Sequence, residues 1–401
     1  MISSDGPSSS IRCSPKTALL LLALLHFLVD FYGGLLTPLP QPTLTQHLGV
    51  DIGRVAALIG IAAVLANVVQ PLSGWLLPSR GLPMLLVLAP LTAAAAVGIG
   101  LTRSFPLVAV LLGLSGIGIG LLHPEAALAA HSLGGRRVGA AVGFFMAMGY
   151  LGFASGGMVG GLWAHHWQLR YFWLLAAPAI LGVGLAIRAG LHRMEGHISP
   201  LREEEPGRIP FAPVLAMAVS VATTMCLLVR FLTLFLVRRF PDAAAQAWGG
   251  SAVFATGITG AAGAFLWGMA ADRHGAHRVL MALNLAGIPA LFFFLKTPAI
   301  HWTPLWGLLL GATVGSAFPL VVVLARGARG LSQRLRIGLA IGGGWGLGEI
   351  AFILGGKYLG QFPATDPRPA EKVLALCSAL MLCTALLAFL QRERYVNRKT
   401  A

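Results

Sequence analysis

Acidic residues are scarce in this sequence, which has 14 Asp and Glu among 401 residues, against 29 Lys and Arg. Charged residues of both signs make up only 11% of the chain, whereas a soluble protein carries roughly 25%. Hydrophobic residues make up 56%. Because so few charged side chains cannot cover a water-facing surface, the composition excludes an ordinary soluble protein and indicates an integral membrane protein.

The usual signatures of an enzyme or an ATP-driven pump are also absent. No segment fits the phosphate-binding loop G-x-x-x-x-G-K-[ST], and no Ser-His-Asp arrangement stands out. The four cysteines show no metal-ligand spacing; they are Cys13, Cys226, Cys377 and Cys383. We therefore expect no catalytic residues, no metal, no cofactor and no enzymatic activity.

Apolar segments long enough to cross a hydrocarbon core of ~30 Å recur along the whole chain. The sequence predicts twelve such spans, at residues 17–38, 53–77, 83–101, 105–130, 137–162, 171–190, 211–237, 247–271, 277–296, 302–325, 336–359 and 371–391. Twelve spans leave no room for a soluble domain. The predicted fold class is an all-α membrane protein.

One long polar stretch, residues 191–210, separates six spans from the next six, and we interpret it as a cytoplasmic linker. The predicted domains are an N-terminal tail (1–16), a six-helix bundle (17–190), the linker, a second six-helix bundle (211–391) and a C-terminal tail (392–401). Spans 4 and 10 share a pattern at an offset of 195, with Gly116, Gly120 and Pro124 matched by Gly311, Gly315 and Pro319. Such duplication is typical of alternating-access transporters.

The net charge of +15 follows the topology. With the N-terminus inside, 19 basic residues fall in the inner connections and tails and 8 in the outer loops. This bias fits the positive-inside rule with both termini cytoplasmic. We therefore expect a protein of the bacterial inner membrane, surrounded by lipids, and no nucleic-acid partner.

Two loops resemble a motif of the major facilitator superfamily. The loop after span 8 reads Gly268-x-x-x-Asp272-Arg273-x-Gly275-x-x-Arg278, and the loop after span 2 keeps Gly74, Arg80 and Gly81 but has Pro78 in the acidic position. The resemblance implies twelve transmembrane helices in two pseudo-symmetric six-helix bundles, the major facilitator fold. It also implies a gating role for these loop residues, although Pro78 removes the charge from the first copy.

Span 5 carries glycines that resemble the antiporter motif of proton-coupled drug exporters: Gly143, Gly152, Gly156, Gly157, Gly160 and Gly161, with Gly157 in place of the motif's proline. Small residues every four positions permit close helix contact. The resemblance implies that Gly152, Gly156 and Gly160 help to close one side of the cavity. Generic helix packing is the alternative interpretation.

Three carboxylates lie inside apolar spans: Asp30, Glu125 and Glu349. Ionisable groups at membrane depth are costly, and they mark a substrate or proton path by default. His26 lies four residues before Asp30 on the same helix face, whereas His123 and Glu125 cannot face each other within a regular helix. We predict that these five residues couple transport to protons; buried packing or snorkelling is the alternative.

Arg230 is a fourth charge in an apolar span. Because arginine stays charged, it needs an anion, which is a carboxylate such as Asp30 or Glu349, or the substrate. Tyr150 and Trp345 could line the cavity, although tryptophan is also common at membrane interfaces. The predicted substrate-binding residues are therefore Arg230, Asp30, Tyr150 and Trp345.

Spans 1 and 4 together resemble the fosmidomycin-resistance branch of the superfamily, through His26 and Asp30, Gly116-Ile-Gly118 and His123-Pro124-Glu125. The resemblance implies a monomeric proton-coupled antiporter that exports a small organic molecule, drug-like or metabolite, by alternating access. The alternative is a proton symporter or facilitator that takes up a small polar or anionic solute. A non-transporting membrane receptor is a more remote alternative.

Overall fold

The structure is a computed structural model that describes residues 14–76, 83–134, 138–193, 209–240, 242, 244–331 and 333–391. Within these ranges all long elements are helical. Most of the predicted linker and of both predicted tails lies outside the described residues, so the domain boundaries stay a prediction.

The first half of the chain forms six helices. They are α1 (Pro15–Leu35), α2 (Ile52–Leu76), α3 (Pro83–Ala93, continued by a 3-10 segment, Ala94–Leu101), α4 (Phe105–Leu133), α5 (Val138–Trp167) and α6 (Phe172–Arg188). Two short helical segments, Pro40–Leu44 and Thr45–Leu48, connect α1 to α2.

The second half forms six more, some of them irregular. They are α7 (Phe211–Arg239), α8 (Ala245–His274), α9 (Ala276–Leu295), α10 (Ile300–Arg326), α11 (Leu335–Leu359) and α12 (Arg368–Leu390). Helix α10 contains a π-helical turn, Gly311–Gly315, and α11 contains another, Leu339–Gly343. The turn in α10 lies just before Pro319, which has no N–H to donate to a regular helical ladder.

Eleven helices among the described residues are long and apolar enough to cross a membrane, and the shorter apolar helix α6 corresponds to the predicted span 171–190. Helix α6 begins one residue later and ends two residues earlier than predicted, at Phe172 and Arg188. Its start follows Tyr171, whose positive φ of 58° a continuous right-handed helix does not accommodate. The predicted all-α membrane fold is therefore confirmed, with one span shorter than expected.

Equivalent glycines make equivalent contacts in the two halves. A methyl group placed on Gly116, Gly120 or Gly311 would collide with a neighbouring backbone, so the helix axes approach closely there, whereas one placed on Gly315 would make ordinary van der Waals contact. In the first half α4 lies on α2, and in the second half α10 lies on α8: Gly116 meets Ala62, Gly120 meets Ala66, and Gly311 meets Thr256. This repetition is the structural counterpart of the offset in the sequence.

The two halves meet through two helix pairs, α5 with α8 and α2 with α11. On α5, Gly157 lies against Val253 of α8, and on α11, Gly356 lies against Ala56 of α2. Gly157 is near the end of α5, whereas Val253 is near the start of α8. Because successive helices alternate in direction, these contacts lie at the end of the molecule opposite the chain termini.

Candidate functional site

The first ionisable cluster joins α1 to α4. The Oδ2 atom of Asp30 lies 3.3 Å from Nε2 of His26, and its Oδ1 atom lies 3.2 Å from Nε2 of His123. The His26 side chain is buried, while Asp30 and His123 are 19% and 25% exposed. The contact between His26 and Asp30 is as predicted. His123 faces Asp30 across two helices, a contact that the sequence did not indicate.

Backbone carbonyls fix the tautomer of both histidines. Nδ1 of His26 lies 2.8 Å from the carbonyl oxygen of Phe145, and Nδ1 of His123 lies 2.7 Å from that of Ile119. Because a carbonyl oxygen only accepts, both Nδ1 atoms carry a proton. In a neutral imidazole with that tautomer, Nε2 has a lone pair instead of a proton.

Each contact with Asp30 therefore needs a further proton. Without it, a lone pair on Nε2 would face a lone pair on a carboxylate oxygen at about 3.2–3.3 Å. The carboxyl group can hold only one of these two protons, so at least one imidazole carries a second proton when both contacts are hydrogen bonds. The cluster is partly open to water, since Asp30 and His123 are both partly exposed.

Helix α5 also packs against this cluster. The ring of His26 stacks on that of Phe145, with centroids 4.0 Å apart, and meets the ring of His123 edge-on at 5.0 Å. A methyl group placed on Gly149 would lie 2.6 Å from Oδ2 of Asp30. Gly149 therefore lets α5 approach the ion pair. Nothing in the sequence distinguishes Gly149 from the other glycines of span 5, although it lies one helical turn after Phe145.

The Asp30 cluster is also compact enough to be considered for a metal ion, since its three ligand-type atoms all lie within 4.8 Å of one another. Spacing along the sequence does not indicate such a site, because the three residues come from two separate helices. Both contacts already have hydrogen-bond lengths, however, and we assign them to protons.

The second ionisable cluster joins α7 to α11. Nη2 of Arg230 donates to Oε1 of Glu349 at 2.9 Å, and their side chains are 9% and 7% exposed. The thiol of Cys226 lies 3.8 Å from the same oxygen, and the Arg230 guanidinium lies 5.6 Å from the centre of the Phe352 ring. Of the partners that the sequence left open for Arg230, the structure shows Glu349.

This second cluster is incompletely hydrogen-bonded. Nη1 of Arg230 and Oε2 of Glu349 are buried, and neither has a partner. The cluster also borders the contact between the halves, because a methyl group placed on Gly60 of α2 would lie 3.3 Å from the carbonyl oxygen of Glu349.

The two predicted cavity aromatics lie apart. Tyr150 is half-buried on α5 and directly follows Gly149, whose position lies against Asp30. Trp345 on α11 packs against Phe318 of α10, with ring centroids 5.2 Å apart. Tyr150 therefore belongs with the first cluster, whereas Trp345 lies on the second-half side, four residues before Glu349.

The glycines of α5 serve two different contacts. Gly152, Gly156 and Gly160 lie against the α1 backbone, within the first half. The contact with α8 uses Gly157 and Gly161 instead, and a methyl group on Gly157 would lie 2.6 Å from Cγ1 of Val253. The position where this chain departs from the antiporter motif is therefore at the boundary between the halves.

The second-half loop motif forms a tight connection between α8 and α9. Gly275 has a φ of 89°, a conformation that favours glycine, and it separates the two helices. Gly268 has open space beside it, and the side chains of Asp272, Arg273 and Arg278 are exposed.

In the first half, Gly74 lies in the last turn of α2. Arg80, Gly81 and the side chain of Glu125 lie outside the described residues. A gating role for these residues stays a prediction.

Comparison with known proteins agrees with this architecture. The family model described as Major Facilitator Superfamily matches residues 22–241, more than half of the chain. The chain belongs to the major facilitator superfamily.

Two curated superfamily members resemble this one over most of their length. The fosmidomycin resistance protein of Escherichia coli (strain K12) is 24% identical over 392 residues, covering 93% of this chain and 92% of the relative. An uncharacterized MFS-type transporter of Bacillus subtilis (strain 168), YfnC, is 24% identical over 357 residues, covering 83% and 85%. The chain is thus related to the fosmidomycin-resistance type.

Solved structures support the fold. The nucleoside transporter NupG has a TM-score of 0.69 at 15% identity and covers 94% of this chain and 100% of its own. A bacterial homolog of the human lysosomal transporter Spinster, in an inward-facing and unoccupied conformation, has a TM-score of 0.70 at 15% identity and covers 98% and 99%. As a member of the major facilitator superfamily related to the fosmidomycin-resistance type, this chain is a transmembrane transporter of a small molecule, and it is not an enzyme.

Proposed function

We propose that this transporter is a proton-coupled antiporter that exports a small organic molecule, drug-like or metabolite, by alternating access. The observation that carries the proposal is the Asp30 cluster, in which a carboxylate inside a membrane span makes two contacts that each require a proton. The relative from Escherichia coli is named for fosmidomycin resistance, which favours export. The protein acts as a monomer in a bacterial inner membrane, with both termini in the cytoplasm.

Proton occupancy changes the forces between α1 and α4. With both protons present, Asp30 attracts His26 and His123, and the helices are held together. When a proton leaves, one imidazole lone pair faces a carboxylate oxygen, and that contact becomes repulsive. His123 is the more exposed histidine, so its contact is the one that opens to water. This change is the switch that couples proton release to substrate binding.

Helix α5 transmits this switch to the boundary between the halves. One face of α5 carries Gly149 and the α1-facing glycines, and another face carries Gly157 against α8. A displacement of α1 therefore shifts the helix that closes the molecule at the end opposite the termini. With cytoplasmic termini, the closed end is the outer one, and the substrate enters from the cytoplasm.

The remaining charges have supporting roles in this proposal. Arg230 and Glu349 compensate each other's charge in the second half. Protonation of Glu349 and an inner gating role for Glu125 stay predictions, as do the gating roles of the loop motifs and of Gly152, Gly156 and Gly160.

The direction of coupling is tested in proteoliposomes with radiolabelled fosmidomycin as the probe. An antiporter accumulates the probe when the lumen is acidic, because protons leaving the vesicle drive the probe inward. A symporter accumulates it only when the lumen is alkaline, and a facilitator responds to neither gradient. We expect accumulation with an acidic lumen.

Two variants assign this coupling to Asp30. Asp30→Asn abolishes the dependence on the gradient, whereas Asp51→Asn, which changes a carboxylate that is 52% exposed, retains it. Accumulation driven by an alkaline lumen, or unchanged coupling in Asp30→Asn, would overturn the proposal.

A further inference from the structure

The Arg230–Glu349 pair leaves one hydrogen-bond donor and one acceptor unused. Nη2 and Oε1 form the only hydrogen bond recorded between the two groups, while Nη1 and Oε2 are buried without a partner. The thiol of Cys226 approaches Oε1 and not Oε2. The two unused atoms belong to the same guanidinium and the same carboxylate, so a donor and an acceptor stand on either side of one hydrogen bond.

Unused atoms of this kind are costly. A buried donor or acceptor without a partner destabilises the folded protein, and more so when the group is charged. Native proteins seldom keep such groups, and each one calls for an explanation. Both side chains here are more than nine-tenths buried, so bulk water does not supply the missing partners in this conformation. A ligand group that does so would gain the hydrogen bonds that the protein lacks.

The position of the pair allows a ligand to reach it. Glu349 lies where α11 meets α2 of the other half, beside Gly60. This contact is between the halves, and alternating access separates the halves. The π-helical turn Leu339–Gly343 and the glycines that follow it precede Glu349 on α11. Such turns are frequent at functional sites, and glycine-rich helices bend readily.

Charge decides what kind of group fits. The pair is neutral overall, because the guanidinium and the carboxylate cancel. An added carboxylate or phosphate would leave a net negative charge in a buried place, which is expensive. A neutral group with a carbonyl oxygen beside an N–H adds no charge, accepts from Nη1 and donates to Oε2.

We propose that the Arg230–Glu349 pair is a substrate subsite for a neutral amide-type group, such as a primary amide or the edge of a lactam. This inference rests on the proposed function only in that the substrate is a small organic molecule. It specifies the anchoring group of that molecule, and it holds whether or not Asp30 carries the coupling protons.

The test measures binding of three probes to the full chain in lipid nanodiscs, with empty nanodiscs to correct for partitioning. Benzamide offers both a donor and an acceptor, N,N-dimethylbenzamide has lost the donor, and benzoate is an anion with acceptors only. For the unmodified protein we expect saturable benzamide binding and about 10- to 150-fold weaker binding of the other two, because each fails to form a hydrogen bond to a charged group. This comparison needs no variant to fold.

Glu349→Gln then assigns the site. The glutamine oxygen keeps the bond to Nη2 of Arg230, while its NH₂ replaces the acceptor Oε2 by a donor. The pair becomes cationic with two donors, so benzoate should gain and benzamide should lose about tenfold each. The matched control is Glu371→Gln, which changes an exposed ion pair with Lys296 in the same half and should leave the order of affinities unchanged.

Two readouts separate this inference from the proposed function. The order of probe affinities in nanodiscs, where no proton gradient exists, tests the inference, whereas the dependence of accumulation on a gradient in proteoliposomes tests the proposed function. The inference is overturned if benzamide shows no saturable binding, if N,N-dimethylbenzamide binds equally well, or if Glu349→Gln leaves the preference unchanged.

Discussion

Replacing Gly149 by alanine perturbs the Asp30 cluster without removing any ionisable group. The added methyl would lie 2.6 Å from Oδ2 of Asp30 and 2.6 Å from Nε2 of His26, which is far inside van der Waals contact. The ring of His26 cannot retreat, because its Nδ1 is bonded to the Phe145 carbonyl and its face stacks on Phe145. Because the methyl also meets Cε1 of His26, rotating Asp30 alone does not relieve the clash, so α5 has to move away from α1 and the contacts of the Asp30 cluster change.

The magnitude follows from the cost of overpacking, which is typically ~1–3 kcal/mol. Alanine also improves helix propensity by ~0.8–1.0 kcal/mol over glycine, and this gain has to be removed from the comparison. Gly143→Ala is the matched control, since it lies on the same helix with open space where the methyl would go. The difference between the two variants then reports the clash alone.

Two measurements quantify this difference between Gly149→Ala and Gly143→Ala. In thermal unfolding in detergent, we expect Gly149→Ala to be less stable than Gly143→Ala by ~1–3 kcal/mol. In proteoliposomes, a coupling energy reduced by that amount corresponds to about a 5- to 150-fold loss of gradient-driven fosmidomycin accumulation. Equal stability and equal accumulation in the two variants would refute the arrangement of α5 against the ion pair.

Three further predictions concern the remaining contacts. ¹⁵N spectra of labelled His26 and His123 should show a protonated Nδ1 in both rings at every pH where the fold persists; a neutral Nε2–H tautomer in either would contradict the assignment. Arg230→Met leaves Glu349 buried and unpaired and should lower the free energy of unfolding by ~3–5 kcal/mol. Adding Glu349→Leu to this variant should recover part of the loss. A loss under ~1 kcal/mol in the single variant would contradict the buried pair. Gly157→Leu should weaken the contact between the halves, seen as a longer spin-label distance between α5 and α8, and an unchanged distance would count against that contact.

Much of the fold follows from the sequence because each membrane helix satisfies its own backbone hydrogen bonds. Such helices can therefore be recognised in the sequence by their length and hydropathy. The twelve spans, the duplication and the family resemblance are all local or periodic signals. The exception is α6, which ends two residues before the predicted span and begins only after Tyr171, whose φ is positive. Hydropathy does not report such turns.

The candidate site could be predicted only in part. The contact between His26 and Asp30 follows from four-residue spacing within one helix, since the positions of both residues are fixed by the same axis. The contact between Asp30 and His123 depends on how α1 and α4 rotate about their own axes, and the sequence contains no signal for that rotation. For the same reason Arg230 had several possible partners, and the role of Gly149 became visible only once α5 was in place.

The most direct test of proton-coupled export is the count of protons released when fosmidomycin binds to the purified protein in weakly buffered detergent. The account predicts release of one to two protons per bound molecule from the unmodified protein, and none from Asp30→Asn. Binding without proton release from the unmodified protein, or equal release from both proteins, would contradict it.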